Sequence, residues 1–134
     1  MSLLILALPP GPASPYAWAT SADGQQLSAH GTASAELLPA AGRGVEVVAV
    51  LPAAQLSWHR VQLPRGVGPR SPRLRATLVG LLEDQLLDEP EQLHFALGPD
   101  ASAGGAAWVA VCRREALLAH LRALDAAGRP VARI

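Results

Sequence analysis

Lysine and asparagine are missing from this sequence altogether, and cysteine, tyrosine, phenylalanine and methionine occur once each. A lone cysteine, Cys112, excludes an internal disulfide framework and a zinc site built from thiolates. Aromatic residues make up only 4% of the chain, too few for a base-stacking platform. A charge excess is missing too. Eleven basic and eleven acidic residues cancel, which removes the electrostatic footprint of a nucleic-acid binder or a polybasic membrane-surface protein. Long apolar runs are equally scarce. The opening Leu3–Leu8 stretch stops at Pro9-Pro10 and has no basic residue before it, whereas a membrane span needs about 20 apolar residues. The chain is therefore expected to be soluble and cytoplasmic, with no nucleic acid bound and no segment inserted in a membrane.

Half of the 134 residues are apolar, enough for a buried core, and the length suits one domain over residues 1–134. Every basic residue is arginine, beside abundant alanine, leucine, glycine and proline. That is the bias of a GC-rich genome and not a selection for phosphate. Twelve glycines and twelve prolines fall between apolar runs, as punctuation in a folded chain does.

The pattern predicts β-strands at residues 2–8, 16–20 and 25–32, the last two joined across Asp23-Gly24, a strong hairpin signal. Residues 34–40 suit one helical turn. Val45–Leu51, β-branched and almost wholly apolar, reads as a buried central strand. Gln55–Leu63 reads as a half-buried or edge strand with Leu56, Trp58, Val61 and Leu63 as its apolar members. Ser71-Pro72 is a helix start, and Leu74, Leu78, Leu81, Leu82 and Leu86 then share a face to about Leu87, before Pro90. Strands at 93–97 and 107–112 follow. A second amphipathic helix carries Leu117, Leu118, Leu121 and Leu124 and is capped by Gly128. Residues 131–134 look like the start of a strand. The sum is an α/β fold, a mixed β-sheet flanked by helices.

Chemistry-bearing residues are scattered. His30, His59, His94 and His120 stand singly, without metal-ligand spacing, so ordinary surface or half-buried histidines are expected and no metal. Cys112 precedes Arg113 and Arg114, which would favour a thiolate, and His94 belongs to a strand that can neighbour it. A small buried hydrophobe is nevertheless the commoner role for such a cysteine. Gly66-Val67-Gly68-Pro69-Arg70-Ser71 leads into a helix, but it lacks the lysine of a phosphate loop and reads as a flexible linker. Glu83, Asp84, Asp88, Glu89 and Glu91 place five carboxylates within nine residues at the end of the first long helix. A solvated face ranks first for them, a contact with a basic partner surface second and a divalent metal last. No nucleophile, base and oxyanion donor come together. A non-catalytic protein with no cofactor and no catalytic residue is expected.

The second half carries a more specific signal. Leu56-Ser57-Trp58-His59-Arg60-Val61-Gln62-Leu63-Pro64 is followed by a leucine-rich helix ending Leu81-Leu82-Glu83-Asp84-Gln85-Leu86-Leu87. Then come Pro90-Glu91-Gln92-Leu93-His94-Phe95-Ala96-Leu97, Trp108-Val109-Ala110-Val111-Cys112-Arg113-Arg114, the helix Leu117–Leu124 and Ala126-Ala127-Gly128. From about Val45 to Ile134 this series resembles the cytoplasmic region of protein L of the type II secretion system, the GspL type. Residues 1–40 agree in the order of their strands.

The resemblance implies an RNase H-related, actin-like subdomain in a scaffold without nucleotide hydrolysis. It implies a place at the cytoplasmic face of the bacterial inner membrane. It also implies recruitment of the cytoplasmic secretion ATPase (protein E), through that partner's N-terminal region. Protein M would be paired only through parts of the family absent from this chain. With no membrane helix or periplasmic domain before Ile134, the chain is expected to be a first cytoplasmic subdomain or a short relative. Glu83, Asp84, Asp88 and Glu89 are the candidate partner-binding residues. Self-association into a homo-oligomer stays open. The alternatives are a metal-dependent phosphohydrolase of the RNase H/actin-like class, for which Glu46 is the one plausible strand carboxylate, and a pilus-assembly scaffold of related fold.

Overall fold

Alternation decides the first strand. In β1 (Ser2–Ala7) Leu4 and Leu6 point to one face and are buried, as is Leu8 just beyond, while Leu3 and Ile5 on the other face are half-buried. In this computed structural model, which describes residues 2–134, β1 is flanked by β2 (Tyr16–Ser21) and β4 (Val45–Val50), and β3 (Ala29–Ala33) lies outside β2. The order is β3-β2-β1-β4. β1 runs antiparallel to β2 with Leu4 opposite Thr20, and parallel to β4 with Leu4 opposite Val47.

β4 is therefore not the central strand that its apolar run predicts. It ends the four-stranded order, and among the described residues its outer flank meets only a bridge between Val48 and Arg133. Val47 and Ala49 are buried, but Val50 is exposed. A continuous apolar run reports covered faces, which does not fix a strand's place in a sheet. The strand expected at 131–134 reduces to that bridge, joined by hydrogen bonds from Ala132 N to Val47 O and from Ala49 N to Arg133 O.

The third strand begins later than expected because Asp23-Gly24 does not make a two-residue turn. Asp23 Oδ1 accepts the amides of Gln25 (2.8 Å) and Gln26 (3.0 Å), and Ser21 Oγ accepts from Gly24 N and donates to Gln26 O. These bonds occupy residues 21–26 in a wide polar turn, with Gly24 at φ 76°. α2 (Arg114–Ala126) buries Leu117, His120 and Leu124, spaced three and four apart. It ends as predicted, with Gly128 at φ 79° and Arg129 N bonded to Leu124 O.

Two compact units result. Leu56–Arg114 forms one, and the segments before and after it, to Gln55 and from Glu115, form the other. The mixed sheet belongs to the flanking unit. The inserted unit has its own antiparallel sheet, β5 (Ser57–Gln62), β7 (Ala106–Arg113) and β6 (Leu93–Leu97), with β7 in the middle. Its core joins Val61, Leu63, Val109 and Val111 of the sheet side to Leu78 and Leu82 of α1 (Leu74–Leu82), with Leu74 and Leu86 alongside.

α1 stops five residues short of the expected Leu87. Glu83 and Asp84 stand where the helix's free carbonyls make negative charge unfavourable. Leu81, expected inside, is exposed, because the buried row takes every fourth residue, Leu74, Leu78, Leu82 and Leu86. Ser71 supports a turn into the helix, its Oγ accepting Arg73 N at 3.2 Å, but Arg73 holds the N-cap position without a side-chain cap. Among the described residues no helix is long and apolar enough to cross a membrane.

Candidate functional site

The carboxylates singled out in the sequence lie in the inserted unit, on the turn between α1 and β6. Glu83 sits at the C-cap of α1, Asp84 follows in the turn, and Glu89 holds the N-cap of a short 3-10 turn, Pro90–Gln92. Glu83, Asp84, Glu89 and Glu91 are exposed, and Asp88 is half-buried with an oxygen 3.8 Å from Arg113 Nε. Two anchors hold this turn. Leu86 packs against the core, and the Arg75 guanidinium donates to Leu93 O (3.1 Å) and Pro90 O (2.7 Å) while lying over the Phe95 ring at 5.2 Å. Between the anchors Leu87 projects wholly into solvent, at 103% exposure. The result is a fixed, acidic projection with an apolar tip.

The other candidates separate. Cys112 and His94 do face each other across β6 and β7. Yet burial pushes the Cys112 thiol up, away from thiolate. Burial, then the charges of Arg75 and Arg114, push the His94 imidazole down, away from the charged form. Such a pair does not make a nucleophile. His59 is tied to Gln85 Oε1 and Ser57 Oγ, and His30 is exposed on β3. Among the described residues no three His, Cys, Asp or Glu side chains gather to hold a metal. The glycine run 66–71 is no free linker: Val67 is buried, its amide bonds to Pro64 O, and Ser71 N bonds to Gly68 O.

Two features escape the sequence patterns. The first is the open face of the inserted sheet. Val61 and Leu63 point toward the core, so Trp58, Arg60 and Gln62 point away from it, and Trp58 is 54% exposed instead of half-buried. On β7 the same alternation turns Trp108 outward, opposite Arg60, whose guanidinium lies 5.4 Å from the indole centroid. With Pro99, Asp100 and Ala106 these side chains line a shallow groove of about 760 Å³. Both phases of Gln55–Leu63 carry apolar residues, so period alone does not say which side is buried. The Val-x-Val of β7 does.

The second is a buried polar network in the flanking unit. His120, 1% exposed, donates from Nε2 to Pro9 O at 2.5 Å, since that carbonyl only accepts. Its Nδ1 then accepts the Tyr16 hydroxyl at 2.7 Å. Burial, and then the charge of Glu36, push the Tyr16 phenol up, which keeps it a donor. Arg129 adds a clamp on the carbonyls of Leu38, Pro39 and Ala127. These groups are spent on holding the fold.

The comparisons with known proteins bear on the whole chain. A solved structure of the cytoplasmic domain of EpsL, an inner-membrane component of the type II secretion system of Vibrio cholerae, superposes with a TM-score of 0.73 at 27% identity. It covers 98% of this chain, which spans 55% of that one. A PilM–PilN type IV pilus biogenesis complex superposes with a TM-score of 0.62 at 21% identity over 97% of this chain and 46% of the other, a likeness of fold. No curated protein matches the sequence. The family described as type II secretion system (T2SS), protein L, matches residues 4–134. By that match, which runs through both units, the chain belongs to the protein L family, and it corresponds to part of the cytoplasmic domain of that inner-membrane component.

Proposed function

We propose that this chain is a non-catalytic docking module of the type II secretion inner-membrane platform that helps recruit the cytoplasmic secretion ATPase, protein E, at the cytoplasmic face of the membrane. The observation that carries this reading is the exposed turn bearing Glu83, Asp84, Asp88 and Glu89, fixed at both ends so that its charges are presented without much ordering cost. A basic surface on the ATPase N-terminal region is the complementary partner. The chemistry of the remaining polar groups supports a binding role over turnover: the thiol is held protonated by burial, and both His120 ring nitrogens are committed to the fold. Protein M falls to parts of the family outside the cytoplasmic region.

Calorimetric titration with the ATPase N-terminal region tests the proposal. The Glu83→Arg/Asp84→Arg double variant is expected to weaken binding by about tenfold or more, roughly 1.4 kcal/mol, through like-charge juxtaposition. An unchanged affinity removes the acidic turn from the contact. A full cytoplasmic region that fails to bind at all removes the recruitment role.

A further inference from the structure

We infer that the outward face of the inserted sheet, centred on Trp58, Arg60 and Trp108, is a seat for the acidic turn of a second copy of this chain. The seat leaves two indoles 54% and 49% exposed, on a bed flattened by Ala106 and Ala110. Arg60 has no ion pair or hydrogen bond among the described residues; its one recorded partner is the Trp108 ring. Tryptophan and arginine exposed together are the residue types that dominate interface energetics. A guanidinium already lying on an aromatic ring also loses little freedom when a carboxylate reaches it.

The occupant follows from charge and shape. The seat offers an apolar floor with an unpaired cation, so it fits a projecting apolar side chain flanked by carboxylates. The turn at 83–89 is that object. Leu87 is fully exposed at its tip, and Asp84, Asp88 and Glu89 stand beside it. Leu87 makes no contribution to its own core, whereas Leu86 next to it does. Asp100, on the loop that walls the groove, carries the same sign as the turn. The carboxylates must therefore approach from the Arg60 side, which gives the contact one orientation.

Seat and turn are different patches, so the contact is head-to-tail, and each copy keeps one free seat and one free turn. The patch is small, and the association is expected to be weak, micromolar or above. This inference does not rest on the ATPase reading, although both use the acidic turn, so a bound ATPase and a second copy would compete for it.

Sedimentation equilibrium of the chain alone, from about 1 to 300 µM, tests it across the weak range of protein association. The average mass is expected to rise with concentration and to rise less at high salt. Arg60→Glu, which spoils the seat, and Leu87→Ser, which spoils the tip, should each stay monomeric. Both positions are exposed, and unchanged circular dichroism confirms folding. An equimolar mixture of the two variants pairs an intact turn with an intact seat and should stop at a dimer. A wild-type chain that is monomeric throughout overturns the inference and leaves the seat to another occupant. Association that survives either substitution, as in a symmetric pairing of two tryptophan faces, overturns it as well. A mixture that stays monomeric does the same.

Discussion

The two units solve the problem of polar and aromatic side chains in opposite ways. In the flanking unit the single tyrosine and a histidine are driven inward and satisfied by each other and by Pro9, so aromatic and imidazole chemistry is consumed in fixing β2 against α2. In the inserted unit the core is filled by apolar side chains, mainly leucines and valines, and two tryptophans and an arginine are turned outward. Buried polar networks specify a structure; exposed aromatic faces cost solubility unless something covers them. In the first unit these groups hold the fold, and in the second they are presented to solvent.

The largest expected effect probes the two cores directly. Leu6 and Leu82 are both fully buried, one in each unit. Leu6→Ala and Leu82→Ala should each cost about 2–5 kcal/mol, the transfer loss plus the cavity. Urea unfolding followed by Trp18 reports the flanking unit, and Trp58 with Trp108 reports the inserted one. Each deletion should lower the midpoint seen by its own unit's tryptophan. A midpoint that does not move places that leucine outside a working core.

Next comes the polar contrast itself. Tyr16→Phe keeps the ring but leaves His120 Nδ1 buried without a donor, and should cost about 1–3 kcal/mol. Arg60→Glu changes a charge on the open face and should shift stability by no more than about 0.5 kcal/mol. Equal losses in the two variants would erase the distinction between a structural and a presented polar group. Between these lies the Arg75 clamp. Arg75→Ala removes two carbonyl bonds from the acidic turn, and about 1 kcal/mol is expected. The sharper readout is faster amide exchange over residues 83–92. Exchange that stays slow there would mean the turn is held by Leu86 alone.

How far the sequence foretold this depends on the range of each signal. Local signals held: the short apolar run of β1, the proline stops after β1 and β5, the run 93–97, and the Gly128 cap. The α/β class follows from these, and the protein L resemblance follows from the motif series between Leu56 and Gly128. Glu83, Asp84, Asp88 and Glu89, expected at the end of a helix running to Leu87, lie instead on the turn beyond a helix that stops at Leu82. What failed was long-range or two-valued. Nothing local pairs Tyr16 with His120, 104 positions away. Trp58 sits in a run apolar in both phases, so its outward direction emerges only when Val109 and Val111 claim the core. Two separate sheets, instead of one, follow from pairings that span the gap between Leu56 and Arg114, where no composition shift marks a boundary.

The smallest effect separates the units by acidity. His94 in the inserted unit has its imidazole pushed below the ordinary 6.5 by burial, then by Arg75 and Arg114. The unfolded chain therefore takes up that proton first, so its contribution is fully present above about pH 6.5 and fades as pH falls toward the lower folded value. Asp23 in the flanking unit is held below the ordinary 3.8, chiefly by the amides of Gln26 and Gln25. Its contribution is intact above about 3.8 and fades only beneath that. Acidification should loosen the inserted unit first, as pH falls below about 6.5, and the flanking unit later, below about 3.8. His94→Gln should flatten the first window and Asp23→Asn the second, read as thermal midpoints from the tryptophans of each unit. Both groups lie near the surface, so the slopes are small, but their order is fixed by which proton each unfolded segment accepts first. A Trp18 signal that falls before those of Trp58 and Trp108 would mean that acid stability is set by groups other than these two.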